Sequence, residues 1–435
     1  VKTRELFWPL ILLIVFLLAV TRSSAEDSYD TGYMEDLLSD EEYPQNLDTL
    51  EEFIQSYYLL LDSNEYLSKF KFIQADKNMF EGAEDALAPF YQKLLELRNG
   101  VRDQVVIYQI GDSHIQSGYF SGTARSSLQK YFGNAGRGLV FPLKLAGTNQ
   151  PDDYKVTEAI GCSRLPAIRG VSGYSLSLGA KAGFQLSTNN FFGLDSRFSK
   201  LTALLSEPGT EMVASNAAVQ KVKQQYPGYE LRAVAWDAPT GSAELRFNGN
   251  STELHGLVLE NAQPGLLYHS AGINGAGFYT LIDSPELFNQ IKLLEPDLIV
   301  VSLGTNDAQG TFREQVCKAN LERFMNLLRQ NCPNTSVIFT LPPDSHKRGK
   351  HNTDIARVDK VITDYARANN CAWWDLGYVM GGKNSVQKWR KELMASKDLL
   401  HFTPKGYMLQ GYLFYQAMIK SYKQFSEGHP DRNNR

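Results

Sequence analysis

Apolar and polar residues follow two rhythms along this chain. From Glu286 onward, apolar runs of strand length alternate with stretches of helical period. SPELFNQIKLL leads to DLIVVSL, FREQVCKANLERFMNLLRQN to SVIFTL, and DIARVDKVITDYARANN to CAWWDL, and a last helix covers about 404–425. Strands that are apolar throughout and joined by helices predict a parallel sheet covered on both faces. The same pattern opens the chain: 50–61 and 86–97 have helical spacing, the second stopped by Asn99 and Gly100, and 105–110 reads as a buried strand followed by a helix near 123–131. Between about 145 and 257 the rhythm becomes short alternating runs such as YSLSLG, GFQLST, ELRAVAWDA and SAELRFNG, set between turn residues. That predicts a β-rich module, since a hundred residues of decorated loop do not fit a compact domain.

The predicted fold is a three-layer α/β/α sandwich with a parallel sheet, made of 49–145 and 258–425, with a jelly-roll-like β domain inserted at 146–257 and a polar tail at 426–435. Residues 1–25 have a basic start, a 15-residue apolar run and small residues before Ala25, the layout of a cleavable signal peptide. The run is shorter than the roughly 20 residues of a membrane span. Periplasmic or secreted location is therefore expected, with an uncleaved N-terminal anchor as the alternative, and 26–48 reads as an acidic linker.

Composition adds exclusions. With 44 basic and 48 acidic side chains and a net charge of −4, the chain lacks the signature of a nucleic-acid binder. Cys162, Cys317, Cys332 and Cys371 form no CxxC pair and no zinc spacing, so no metal is expected. They read as buried free thiols, or as partners in a disulfide if exported. GNAGRG lacks both dinucleotide and P-loop spacing, so no nucleotide or other cofactor is expected, and its Arg137 reads as a scaffold partner for a carboxylate or as a pocket residue. A monomer is expected.

Four islands could carry chemistry. The strand 105–110 runs into Gly111, Asp112, Ser113 and His114, either a plain turn or a nucleophile at a sheet edge. GINGAG places Gly275 after a short strand at 265–268, GTND places Asn306 and Asp307 after 298–303, and DLLH places Asp398 three residues before His401. Singly these read as turns, caps or packed residues. Together they fit one reaction. A serine hydroxyl needs a base to take its proton, an imidazole needs a carboxylate on its other nitrogen, and a tetrahedral oxyanion needs preplaced N–H donors.

Ser113 in GDSH, Gly275 in GINGAG, Asn306 in GTND and His401 in DLLH, in this order, resemble the four blocks of the SGNH (GDSL) hydrolase superfamily. The resemblance implies Ser113 as nucleophile, His401 as base, Asp398 as its partner, and Ser113, Gly275 and Asn306 as oxyanion donors, with Asp112, His114 and Asp307 in support. His114 stands where many members carry an apolar residue, and is expected to shape the pocket. The long insertion, GDSHIQ and FGNAGRG resemble the bacterial periplasmic peptidoglycan-type O-acetylesterases, whose inserted β domain resembles a carbohydrate-binding module. The implied function is an exported serine esterase acting on an acetylated polysaccharide. An O-acetyltransferase or a non-catalytic glycan-binding protein are the alternatives. Sugar binding by the insert would need exposed aromatics, for which Tyr154, Tyr174, Phe184, Phe191, Phe192 and Trp236 are the candidates.

Overall fold

The computed structural model describes residues 57, 61, 66–166, 168–206, 210–217 and 224–428. The expected signal peptide at 1–25, the linker at 26–48, most of the helix at 50–61, and 429–435 lie outside the described residues. All elements below belong to the compact unit Tyr58–Arg435.

Helix α1 (Ala88–Arg98) ends at Asn99 and leads into β1 (Gln104–Gly111), and α2 (Tyr119–Phe132) follows. An antiparallel segment comes next: β2 (Gly138–Val140), β3 (Tyr154–Arg164), β4 (Leu176–Thr188), β5 (Phe198–Ser206), β6 (Thr210–Ala214), β7 (Gln224–Tyr226), β8 (Tyr229–Thr240), β9 (Ser242–Gly249) and β10 (Thr252–Glu260). The chain then returns to α/β alternation with β11 (Gly265–Gly272), α3 (Pro285–Ile291), β12 (Leu298–Ser302), α4 (Glu314–Asn331) and β13 (Ser336–Thr340). A small hairpin, β14 (His346–Lys347) and β15 (Lys350–His351), precedes α5 (Asp354–Ala368), β16 (Ala372–Trp374) and α6 (Pro404–Gly428). The last helix thus runs three residues into the segment expected as a polar tail.

Five parallel strands form one sheet in the order β11-β1-β12-β13-β16. β12 and β13 are buried along their whole length and β1 from its second residue on, as apolar strands covered by helices must be. α6 packs on α2 and α1 and α4 on α5 and α3, giving the helical layers. Chain order reverses beside β1, whose neighbours β11 and β12 lead away in opposite directions. In open α/β sheets the crevice outside the strand ends at that point is where ligands sit.

The antiparallel sheet has nine strands, ordered β6-β9-β4-β10-β5-β8-β7, with β2 on β10 and β3 on β4. β9 shows the alternation that marks one wet and one dry face, with Ala243, Leu245 and Phe247 buried between exposed residues. The sheet closes round its own core of Phe184, Phe198, Phe247 and their neighbours. Two features differ from the sequence reading. The sheet takes in β2 and the end of β10, outside 146–257, and YSLSLG and GFQLST join in the single strand β4. Tyr154, Phe184, Phe191 and Phe192 are core residues at 2 to 4% exposure, while Tyr174 and Trp236 are half-buried, Trp236 edge-on to Phe198. The insert spends these rings on packing.

The insert is tied to the body by buried charge. Asp153, just before β3, accepts from Arg125 of α2 at 2.7 Å and from both Nε and Nη2 of Arg137 at 3.0 and 2.9 Å. Arg137 also lies 5.0 Å from the Tyr154 ring centroid, so its place is in the scaffold. The four cysteines are free thiols, three buried and Cys162 half-buried.

Candidate active site

Gly111 and Gly272 end β1 and β11 side by side. The short helix Ser113–Gln116 lies so close over them that a Cβ on Gly111 would sit 2.3 Å from Ile115 Cγ1, and one on Gly272 2.1 Å from the Gln116 nitrogen. Glycine at both ends is thus what lets the helix rest on the sheet edge. Asp112 caps that helix, its Oδ1 accepting the His114 N–H at 2.9 Å, and this presents Ser113 at the first helical position.

His401 reaches Ser113 from the loop before α6. Its Nε2 is 3.1 Å from Ser113 Oγ, and its Nδ1 is 2.6 Å from Asp398 Oδ2. The loop is shaped for this contact, since Asp398 Oδ1 also accepts the N–H groups of Leu400 and His401 at 2.9 and 3.0 Å. Burial pushes the Asp398 carboxyl up, but hydrogen bonds from the His401 ring and those two N–H groups outweigh it and hold the group at about 2. An ionised Asp398 accepts a hydrogen bond from Nδ1–H and so holds the tautomer in which Nε2 is the acceptor facing the serine hydroxyl.

The donors stand on the neighbouring strand ends. Gly275 follows β11 at φ +73°, a left-handed conformation that suits glycine, and its residue is exposed. Asn306 lies in the short helix Thr305–Gln309 after β12, its Nδ2 donating to Ala276 O at 2.9 Å and to Asp112 Oδ2 at 3.4 Å. Asp307 Oδ2 accepts the Phe278 N–H at 3.2 Å and so joins the Asn306 and Gly275 segments; burial raises its carboxyl to about 6. His114 is buried, with Nδ1 2.9 Å from the Tyr407 hydroxyl and its ring 5.4 Å from that of His401. Burial lowers it to about 3, helped by the His401 charge, so it packs behind the imidazole as a neutral ring.

The structure therefore brings all eight predicted residues to one edge of the sheet. It also brings residues that the sequence reading left aside. Thr148, from the loop between β2 and β3, accepts on its hydroxyl from the Gln116 amide and, at 3.4 Å, from that of Asn274, so this loop walls one side of the site. Tyr279 is 46% exposed, and its ring lies over Gly277, where a Cβ would be 2.6 Å from Cε1. An aromatic four residues past Gly275 was a readable signal. The Thr148 contacts were not, because they join segments far apart in sequence.

Residues 245–409 match the model of the GDSL-like lipase/acylhydrolase family. Among solved structures, a peptidoglycan O-acetylesterase superposes with a TM-score of 0.65 at 20% identity, over 79% of this chain and 98% of that one. A lipase/acylhydrolase from Enterococcus faecalis is 24% identical over 35% of this chain and 76% of its own, with a TM-score of 0.29. A family two carbohydrate esterase from Cellvibrio japonicus is 12% identical over 62% and 99%, with a TM-score of 0.26. No curated protein sequence matches the chain.

Proposed function

We propose that this chain, an SGNH (GDSL)-type ester hydrolase, removes O-acetyl groups from a polysaccharide outside the cytoplasm. The observation that carries the chemistry is the continuous chain of hydrogen bonds from Ser113 Oγ through His401 to Asp398, with the Asn306 amide at its Ser113 end, on Asp112 and on Ala276 next to Gly275. His401 Nε2 takes the proton from Ser113 as its oxygen attacks the acetyl carbonyl. The oxyanion is held by the backbone N–H groups of Ser113 and Gly275 and by the Asn306 amide, whose long contact to Asp112 is the one given up. His401 returns the proton to the departing sugar hydroxyl, leaving an acetyl-serine. Water, deprotonated by His401, then attacks that ester, and His401 returns the proton to Ser113 Oγ as acetate is released.

A carbohydrate substrate is supported by three things: the likeness in architecture to a peptidoglycan O-acetylesterase, the polar wall of Thr148 and Asn274, and the exposed Tyr279 ring beside the donor loop, a surface of the kind on which sugar rings stack. Action outside the cytoplasm is supported by the leader pattern of 1–25.

The test is hydrolysis of an aryl acetate and of O-acetylated polysaccharides by the wild-type chain and by Ser113→Ala. Acetate release that falls by about 10⁴ or more in the variant is expected. Equal rates in both proteins, or no release from any acetyl ester, would rule the reading out.

A further inference from the structure

The chain is mildly acidic overall, yet positive charge is concentrated beside the site. The sequence HKRGKH forms the β14–β15 hairpin, with Arg348 at φ +53° and Gly349 at φ +75° making its two-residue turn. The hairpin stands on both halves of the catalytic apparatus. The His346 N–H donates to Leu399 O at 2.8 Å, in the loop between Asp398 and His401, and the Gln309 amide donates to His346 O at 3.0 Å, from the Asn306 helix. Lys347 is used inside this joint, its ammonium bonded to Ala308 O and Asp354 at 2.9 Å each. Its neighbours Arg348 and Lys350 instead point outward, exposed and with no carboxylate partner among the described residues.

The surface continues on 383–391. Gln387 lies 3.2 Å from His346, and Lys383, Lys388 and Lys391 around it are exposed. Neither the hairpin nor 383–391 contains an Asp or Glu. Arg348 and Lys350, two exposed cations on either side of Gly349 at the hairpin turn, repel each other, and a multivalent anion relieves that repulsion. A scaffold role would need one such cation to be paired inward, as Lys347 is.

From this we infer that the substrate is an anionic glycan, one carrying carboxylates along its backbone, and that Arg348 and Lys350 hold the residues flanking the acetylated sugar. The inference rests on the esterase reading above and specifies its polymer. Arg348 adds a planar fork suited to a carboxylate, and Lys350 a point charge.

The experiment compares kcat/KM on an O-acetylated polyuronate with that on an O-acetylated neutral xylan. The wild type is expected to favour the anionic polymer, with a preference that shrinks several-fold between 50 and 500 mM salt, concentrations chosen to shorten the screening length, about 8 Å at 0.15 M, to only a few ångströms. Arg348→Gln with Lys350→Gln should cut the ratio of anionic to neutral kcat/KM about 5- to 10-fold, chiefly through KM, and Arg348→Glu with Lys350→Glu should cut it further. Both positions are exposed and Gly349 keeps the turn, so these variants fold. A ratio that is unchanged by the substitutions or by salt overturns the inference. Aryl acetate hydrolysis by the wild type, lost in Ser113→Ala, separately measures the esterase reading; if it is present while the ratio does not move, the anionic glycan alone fails.

Discussion

Asp153, where the inserted sheet meets the body, and Asp112, beneath the nucleophile, are equally buried at 1% exposure, yet their surroundings push them in opposite directions. Burial raises the Asp153 carboxyl, but the charges and hydrogen bonds of Arg137 and Arg125 outweigh it and hold the group at about 2. Asp112 has no Lys or Arg partner among the described residues. Burial raises it to about 7, against the His114 N–H and the His401 charge and with the help of Asp307. The insert neutralises its buried charge to fix a junction. The body leaves its carboxyl without a Lys or Arg, its neighbours being the His114 N–H and the Asn306 amide, the second of which is a donor in the proposed reaction.

Asp153→Ala puts the greatest strain on this contrast. It leaves two guanidiniums buried without an anion, and breaking a buried pair in this way costs about 3–5 kcal/mol. Urea unfolding should show that loss; a change below about 1 kcal/mol would mean that water reaches the junction and that the ion cluster is not what holds it. Asn306→Ala probes the other region. It should lower kcat on an aryl acetate by about 10² to 10³, or about 2.7–4 kcal/mol, while Tm stays within about 2 °C. A variant that loses stability instead of rate would make Asn306 a strut between Ala276 and Asp112 and no oxyanion donor.

The two regions were also unequally readable in the sequence. In the body, strands buried on both faces are continuous apolar runs; β1, β11 and β12 lead into Ser113, Gly275 and Asn306, while His401 is read from its spacing to Asp398 ahead of the last helix. In the insert, β9 alternates and its bounds, 242–249, could be read directly. β3 could not be read: it is an edge strand, exposed over most of Tyr154–Arg164, with register shifts near Glu158 and Gly161, so no period survives. β2 was missed because three residues carry no pattern at all. The insert's aromatics were readable as more often core than sugar-stacking, but not ring by ring, since stacking rings and packed rings have the same composition. The basic hairpin was missed for a different reason. Net charge averages over the chain, whereas HKRGKH acts through where the fold sets it down.

The smallest effect concerns Asp112 itself. Its folded value of about 7 lies above the unfolded carboxylate range near 3.9, so it contributes most to stability below about pH 4. Between pH 4 and 7 the unfolded chain gives up its proton while the folded one keeps it, and stability is lost as pH rises. Above 7 both forms are ionised and the loss levels off. Asp112→Asn keeps an oxygen that can cap the Ser113 helix and removes the titration. The difference in Tm between this variant and the wild type should therefore move in the variant's favour by about 2–4 °C from pH 4 to pH 7 and be flat from 7 to 8. A difference that is constant across this range would place Asp112 with Asp153, as a carboxylate ionised throughout, with the His401 charge, which already opposes the effect of burial on Asp112, as the cation that keeps it so.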